Sequence, residues 1–125
     1  SEIKRVLEVD GALVILLYEA KKELYFLGAA YDDRDTQWRA KEVRYSAAKG
    51  VSGRVLKTGE PVIVPDTSKD PDFYGFVDDQ MHFKSQSMLD VPLKSGERII
   101  GVLCAINKKK GVFDQSDVEL LNLIA

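Results

Sequence analysis

Ala12-Leu13-Val14-Ile15-Leu16-Leu17-Tyr18, then Glu19 to Glu23, then Leu24-Tyr25-Phe26-Leu27-Gly28-Ala29-Ala30-Tyr31 is the stretch that decides the architecture. The first seven residues are apolar at odd and even positions alike and rich in strand formers, so they predict a strand covered on both faces. Leu24 to Tyr31 supplies a second strand of the same character. The polar turn at Glu19 to Glu23 is too short for a parallel crossover, which makes the pair an antiparallel hairpin.

Working outward, Ser1 to Asp10 places Ile3, Val6, Leu7 and Asp10 at helical spacing, and Gly11 interrupts. Downstream, Asp32 to Asp35 reads as a charged loop. Val43, Tyr45 and Ala47 alternate with polar residues as a third, more exposed strand. Gly50 to Gly59 reads as a short helix striped by Val51, Val55 and Leu56, capped by Gly59 and blocked by Pro61. Val62 to Val64, set between two prolines, fits a sheet edge. Residues 65–86 lose the alternation. They carry Asp70-Pro71, a helix-start pattern, and Phe73, Tyr74, Phe76, Met81 and Phe83. An irregular stretch of that length is uncommon unless it is functional, and its aromatic content predicts that it packs down.

Ser87 to Leu93 and Ile99 to Asn107 are two further strands joined by a compact turn at Lys94 to Glu97. The second is apolar on both faces and is expected to lie centrally. Asp114 and Asp117 form a variant capping box for a helix with Val118, Leu121 and Ala125 on one side, and Leu120 and Ile124 widen that stripe. The pattern runs to the last residue, so both terminal helices read as pieces of longer ones. The order of elements predicts an antiparallel sheet with helices grouped at the ends, an α+β domain.

The chain has 125 residues, of which 45% are hydrophobic and 30% charged, as expected of one domain with a real core. Eighteen basic against 20 acidic residues give a net charge of −2, which argues against a nucleic-acid partner. There is no membrane-length apolar run and no leader pattern. One Cys and one His exclude a disulfide framework and an all-Cys/His zinc site. The expected location is the cytoplasm.

Gly50-Val51-Ser52-Gly53-Arg54-Val55 through Thr58-Gly59-Glu60-Pro61-Val62 resembles the middle signature of the GAF domain family. Asp66 with Asp70-Pro71-Asp72-Phe73, Ser87 to Leu93, Ile100 to Leu103, and Phe113 to Ala125 resemble its later segments in the same order. The resemblance implies a PAS-related, six-stranded antiparallel sheet with the terminal helices on one face. Loops and short helices on the other face enclose a ligand. It implies one GAF domain over residues 1–125, truncated in helices at both ends. It also implies a sensory module of a larger, bacterial signalling protein: a histidine kinase, a cyclic-nucleotide or cyclic-dinucleotide enzyme, or a transcription activator. The expected partners are an unidentified small molecule, a covalently linked output domain and a second copy docked through the terminal helices. The competing reading is a dimerisation scaffold without ligand.

The candidate ligand-binding residues are Tyr45, Asp66, Phe73, Tyr74, Phe76, Met81, Phe83, Met88 and Asp90, because a pocket needs apolar walls with a few placed polar groups. The bland alternative for the rings is core packing. Asp90 either points into the pocket or faces solvent beside Lys94 or Arg98, since a buried unpaired carboxylate is costly. Residues 65–86 carry five Asp and two Lys, a net charge of −3, which disfavours an anionic ligand.

No cofactor is identified. His82 has no second ligand for haem or a metal, and Cys104 is followed by Ala105 where bilin-binding members usually have His. Asn107-Lys108, Phe113 and Asp117 fit a signature of cyclic-nucleotide-binding members, with Val118 replacing the acidic residue. We read it as structural, a Lys–Asp pair tying a strand end to a helix start. A methionine-sulfoxide reductase branch shares the resemblance, but its chemistry needs thiols for attack and for resolution, and Cys104 is alone. The chain is therefore not expected to be an enzyme.

Overall fold

The computed structural model describes residues 2–125. Helix α1 (Glu2–Leu7) leads into strands β1 (Val9–Tyr18) and β2 (Glu23–Tyr31), then helix α2 (Arg34–Ala40) and strand β3 (Arg44–Ser46). Helix α3 (Gly50–Thr58), strand β4 (Val62–Val64), a single 3-10 turn at Thr67–Lys69 and helix α4 (Gly75–Met81) follow. Strands β5 (Met88–Ser95) and β6 (Arg98–Lys108) and helix α5 (Gln115–Ile124) complete the chain. The six strands form one sheet in the order β3-β2-β1-β6-β5-β4, with every neighbouring pair antiparallel. The α+β architecture expected from the sequence is therefore observed.

The two strands apolar on both faces, β1 and β6, lie at the centre. Their alternating side chains feed two separate cores. On one face Leu7, Val9, Leu103, Ala105, Phe113, Val118 and Leu121 join Leu89 and Val91 of β5 under α1 and α5. On the other, Leu13, Ile15, Val102, Cys104 and Ile106 meet Val51 and Val55 of α3 and Met81 of α4. At ten residues α5 is too short to hold helical form alone. Burial of Val118 and Leu121, worth about 1.5–3 kcal/mol each, holds it to the sheet.

Asp114 caps α5 by accepting from the Ser116 and Asp117 backbones, and the Asp117 carboxylate in turn accepts from the Asp114 N–H. The other oxygen of Asp117 takes the Lys108 ammonium at 2.8 Å, and that ammonium also donates to the Leu7 carbonyl at 2.8 Å. One half-buried lysine thus joins the end of β6, the end of α1 and the first turn of α5.

Several expectations need correction. Gly11 does not interrupt; it lies inside β1, where a Cβ would collide with the Tyr31 ring. β2 is not covered on both faces. Leu27 is the extra residue of a bulge opposite Val14 and Ile15 and stands 66% exposed, because α1 and α5 cover β1, β5 and β6 and stop short of β2. The loop expected at Asp32 to Asp35 is the start of α2, with Asp33 as N-cap holding the Thr36 hydroxyl at 2.8 Å. Asp70-Pro71 starts no helix. The Asp70 carboxylate instead accepts from the Asp72 N–H and the Arg54 guanidinium, and α4 begins at Gly75.

Candidate functional site

The face of the sheet away from α1 and α5 carries a cavity of about 50 Å³. Its floor comes from alternate residues of central strands: Leu13 and Ile15 of β1, Met88 and Asp90 of β5, and Cys104 and Ile106 of β6. Gly50, Val51 and Ser52 at the start of α3 form one side. The roof is α4 with its flanking loops, contributing Phe73, Tyr74, Val77, Asp78, Met81, Phe83 and Ser85.

The roof is tied down at its rim by polar contacts. Asp78 accepts from both the Ser85 N–H and the Ser85 hydroxyl at 2.7 Å, closing the loop after α4 back on the helix. Burial pushes the Asp78 carboxyl up from its ordinary range, while the Ser85 bonds pull it back. The Arg39 guanidinium of α2 reaches the Met81 carbonyl at 3.3 Å. Arg54 of α3 pairs with Asp70 at 3.1 Å and Asp72 at 2.8 Å. Asn107 accepts from the Gln86 and Ser87 N–H groups and donates to the Lys84 carbonyl. The rings interlock edge-on, with Tyr31 and Phe83 centroids 4.8 Å apart and Phe26 and Tyr45 6.0 Å apart.

Of the nine residues expected at a site, seven stand on the cavity wall: Tyr45, Phe73, Tyr74, Met81, Phe83, Met88 and Asp90. Two do not. Phe76 faces outward, 38% exposed, and stacks on the outer side of Tyr74 at 5.5 Å. The helical period explains this: Val77 and Met81, four residues apart, take the inward stripe of α4 and leave Phe76 beside it. Asp66 caps the 3-10 turn, accepting from the Ser68 N–H and hydroxyl, and lies off the cavity. His82 terminates α4 in the left-handed region and is exposed.

The solvent alternative for Asp90 is overturned. Asp90 is 2% exposed, sits directly across from Cys104 in the β5–β6 ladder, and its Oδ1 has no hydrogen-bond partner. Burial raises its carboxyl to about 7, against weaker lowering by the Cys104 thiol and the field of Arg54. Burial and the Asp90 charge together push the Cys104 thiol well above its ordinary value. The Tyr45 phenol, hydrogen-bonded to Ser52 at 2.9 Å, is likewise raised by burial.

The sequence reading missed Ser52, Val77, Asp78 and Ser85 on the wall. The signal for Val77 was its four-residue spacing from Met81. Ser85 carried none, since it is placed by its bonds to Asp78 and by the Thr67 hydroxyl, which donates to its carbonyl. Among the described residues no group of three or more His, Cys, Asp or Glu is placed to hold a metal ion.

A profile of the GAF domain family matches residues 1–125. The chain belongs to the GAF domain family. The fold agrees, with six antiparallel strands, two helices behind and a roofed hollow in front. Over 85 residues this GAF domain is 31% identical to the "Probable 3',5'-cyclic phosphodiesterase pde-5" of Caenorhabditis elegans. That similarity takes in 68% of the chain and only 12% of the relative's length.

The GAF domain from an Acinetobacter phosphoenolpyruvate-protein phosphotransferase superposes with a TM-score of 0.79 at 20% identity, over 98% of this chain and 70% of the other. The free methionine-R-sulfoxide reductase of Neisseria meningitidis, solved with its substrate, gives 0.76 at 24% identity, over 98% and 66%. At these identities the two structures speak for the shared fold alone. No helix among the described residues is long and apolar enough to cross a membrane.

Proposed function

We propose that this GAF domain is a sensory module that binds a small molecule beneath α4 and signals to an output domain on the same polypeptide. The observation that carries the reading is the cavity itself. The rings of residues 73–83 roof a hollow, and the polar groups of Tyr45, Ser52, Ser85 and Asp90 reach it. A purely structural module is expected to pack that space solid. The two faces of β5 and β6 supply a route for the signal. Met88, Asp90, Cys104 and Ile106 line the cavity, while Leu89, Val91, Leu103 and Ala105 between them carry α1 and α5. A ligand that binds two settings of the roof with different affinity shifts their populations, and the terminal helices feel the strands move.

The host is a cytoplasmic signal-transduction protein on this reading, in keeping with the cyclic phosphodiesterase that contains the similar segment. The domain itself is regulatory. Sulfoxide reduction of the kind named for the Neisseria relative needs an attacking and a resolving thiol, and this chain has one cysteine, buried in β6.

Screening melting temperature against purines, cyclic nucleotides, amino acids and small aromatics tests the proposal. A ligand at a hundred times its Kd adds about 2.7 kcal/mol, a shift of several degrees for a domain of this size. Silence across the screen at high excess favours the second reading, a dimerisation scaffold. That reading has its own support in the exposed apolar residues Val6, Leu120, Leu123 and Ile124 on the terminal helices.

A further inference from the structure

Which chemistry the cavity accepts is set by its walls. Among the described residues two carboxylates reach it, Asp78 and Asp90, and no Lys, Arg or His lines it. Asp78 spends both oxygens on Ser85. Asp90 Oδ1 is a buried acceptor with no donor. Arg54 exerts a field on Asp90, but its guanidinium is engaged outside by Asp70 and Asp72. The rest of the wall is largely apolar, and six rings contribute to it, Phe26, Tyr31, Tyr45, Phe73, Tyr74 and Phe83. Ring faces are negative and attract cations, most strongly where water is excluded. An anion would meet the Asp90 carboxylate with no compensating base, and a neutral hydrocarbon would leave Oδ1 unpaired.

We propose that the cavity takes a small organic cation, a protonated amine or amidinium on an apolar body, whose N–H groups satisfy Asp90 Oδ1 while its body lies against the rings. The inference rests on the sensing role argued above and names its ligand class. About 50 Å³ is room for roughly three or four waters. A body the size of one ring therefore enters only as α4 lifts, which couples binding to the roof.

The test compares benzylamine, benzyl alcohol and benzoate at pH 8 by calorimetry and melting temperature, in the wild-type domain and in Asp90→Asn. Far-UV circular dichroism confirms that the variant is folded, and Asp90→Ser replaces it if it is not. Benzylamine should bind at least about tenfold more tightly than benzyl alcohol, benzoate should not bind, and Asp90→Asn should bring the amine-to-alcohol ratio to about one. Benzyl alcohol or benzoate binding as tightly as benzylamine, or an amine preference that survives in Asp90→Asn, overturns the cation assignment and leaves the sensing role standing. If all three probes are silent, a hit among the anions or neutral compounds of the wider screen overturns the assignment alone. An empty wider screen removes both.

Discussion

Asp90 and Cys104 face each other across the β5–β6 ladder, both buried. Burial lifts the folded-state carboxyl from 3.8 to about 7. The folded state therefore holds a proton that the unfolded chain releases near pH 4. The stability this contributes is complete below that pH, declines as pH rises, and is gone above about 7. Asp90→Asn lacks this dependence. In urea unfolding, the difference between variant and wild type should move in favour of the variant by roughly 2–3 kcal/mol between pH 5 and pH 8.

The Lys108–Asp117 pair makes the opposite case, a buried carboxylate fully employed. Asp117→Ala strips the capping box and leaves the Lys108 ammonium with only the Leu7 carbonyl and the Phe113 ring. It should lower unfolding free energy by about 3 kcal/mol. At this scale the sequence was informative where partners are near in the chain. The capping residues could be read from spacing, and the Lys–Asp pair, nine positions apart, from the resemblance to the family signature. The surroundings of Asp90 could not, because they depend on which strand lies opposite and on what roofs it.

Among the elements, α3 followed its local signals: the Val51 and Val55 stripe, Gly59 in the left-handed region at φ 74°, and Pro61 beyond. Gly59→Ala should cost about 1 kcal/mol by calorimetry, since a Cβ is strained there. The helix α2 was hidden because its inward face is only Thr36 and Ala40, while Trp38 turns outward. So weak an apolar stripe resembles a loop, although Asp33 three residues before Thr36 was a legible cap. α4 was displaced in the reading for a related reason. Asp70-Pro71 offered a strong start, but the Asp70 carboxylate is held by Arg54 from a different helix, and the chain turns helical only at Gly75. Asp78→Ala removes both bonds to Ser85. Hydrogen exchange should accelerate across residues 75–85, while the amides of β1 and β6 remain protected.

In the whole molecule, one sheet serves two cores, with cavity-facing and helix-facing side chains alternating along β5 and β6. The cavity under α4 is therefore one sheet thickness from α1 and α5. If those helices pair between copies, Leu123, 85% exposed, lies at the contact. Leu123→Glu should then reduce self-association in analytical ultracentrifugation and leave the melting temperature within about a degree, because the side chain touches little in its own chain.

The sequence by itself determined the antiparallel hairpin, the central position of β6, the caps of α3 and α5, and the class of the fold. All of these follow from side-chain period, turn length and neighbours within a few residues. Only the tertiary structure decided that Asp90 is buried with Oδ1 unpartnered, that Phe76 turns out while Val77 turns in, that Ser85 joins the roof and that α2 ties it down through Arg39. Those outcomes belong to groups distant in the chain, because whether a carboxylate is solvated or stranded depends on everything that packs around it.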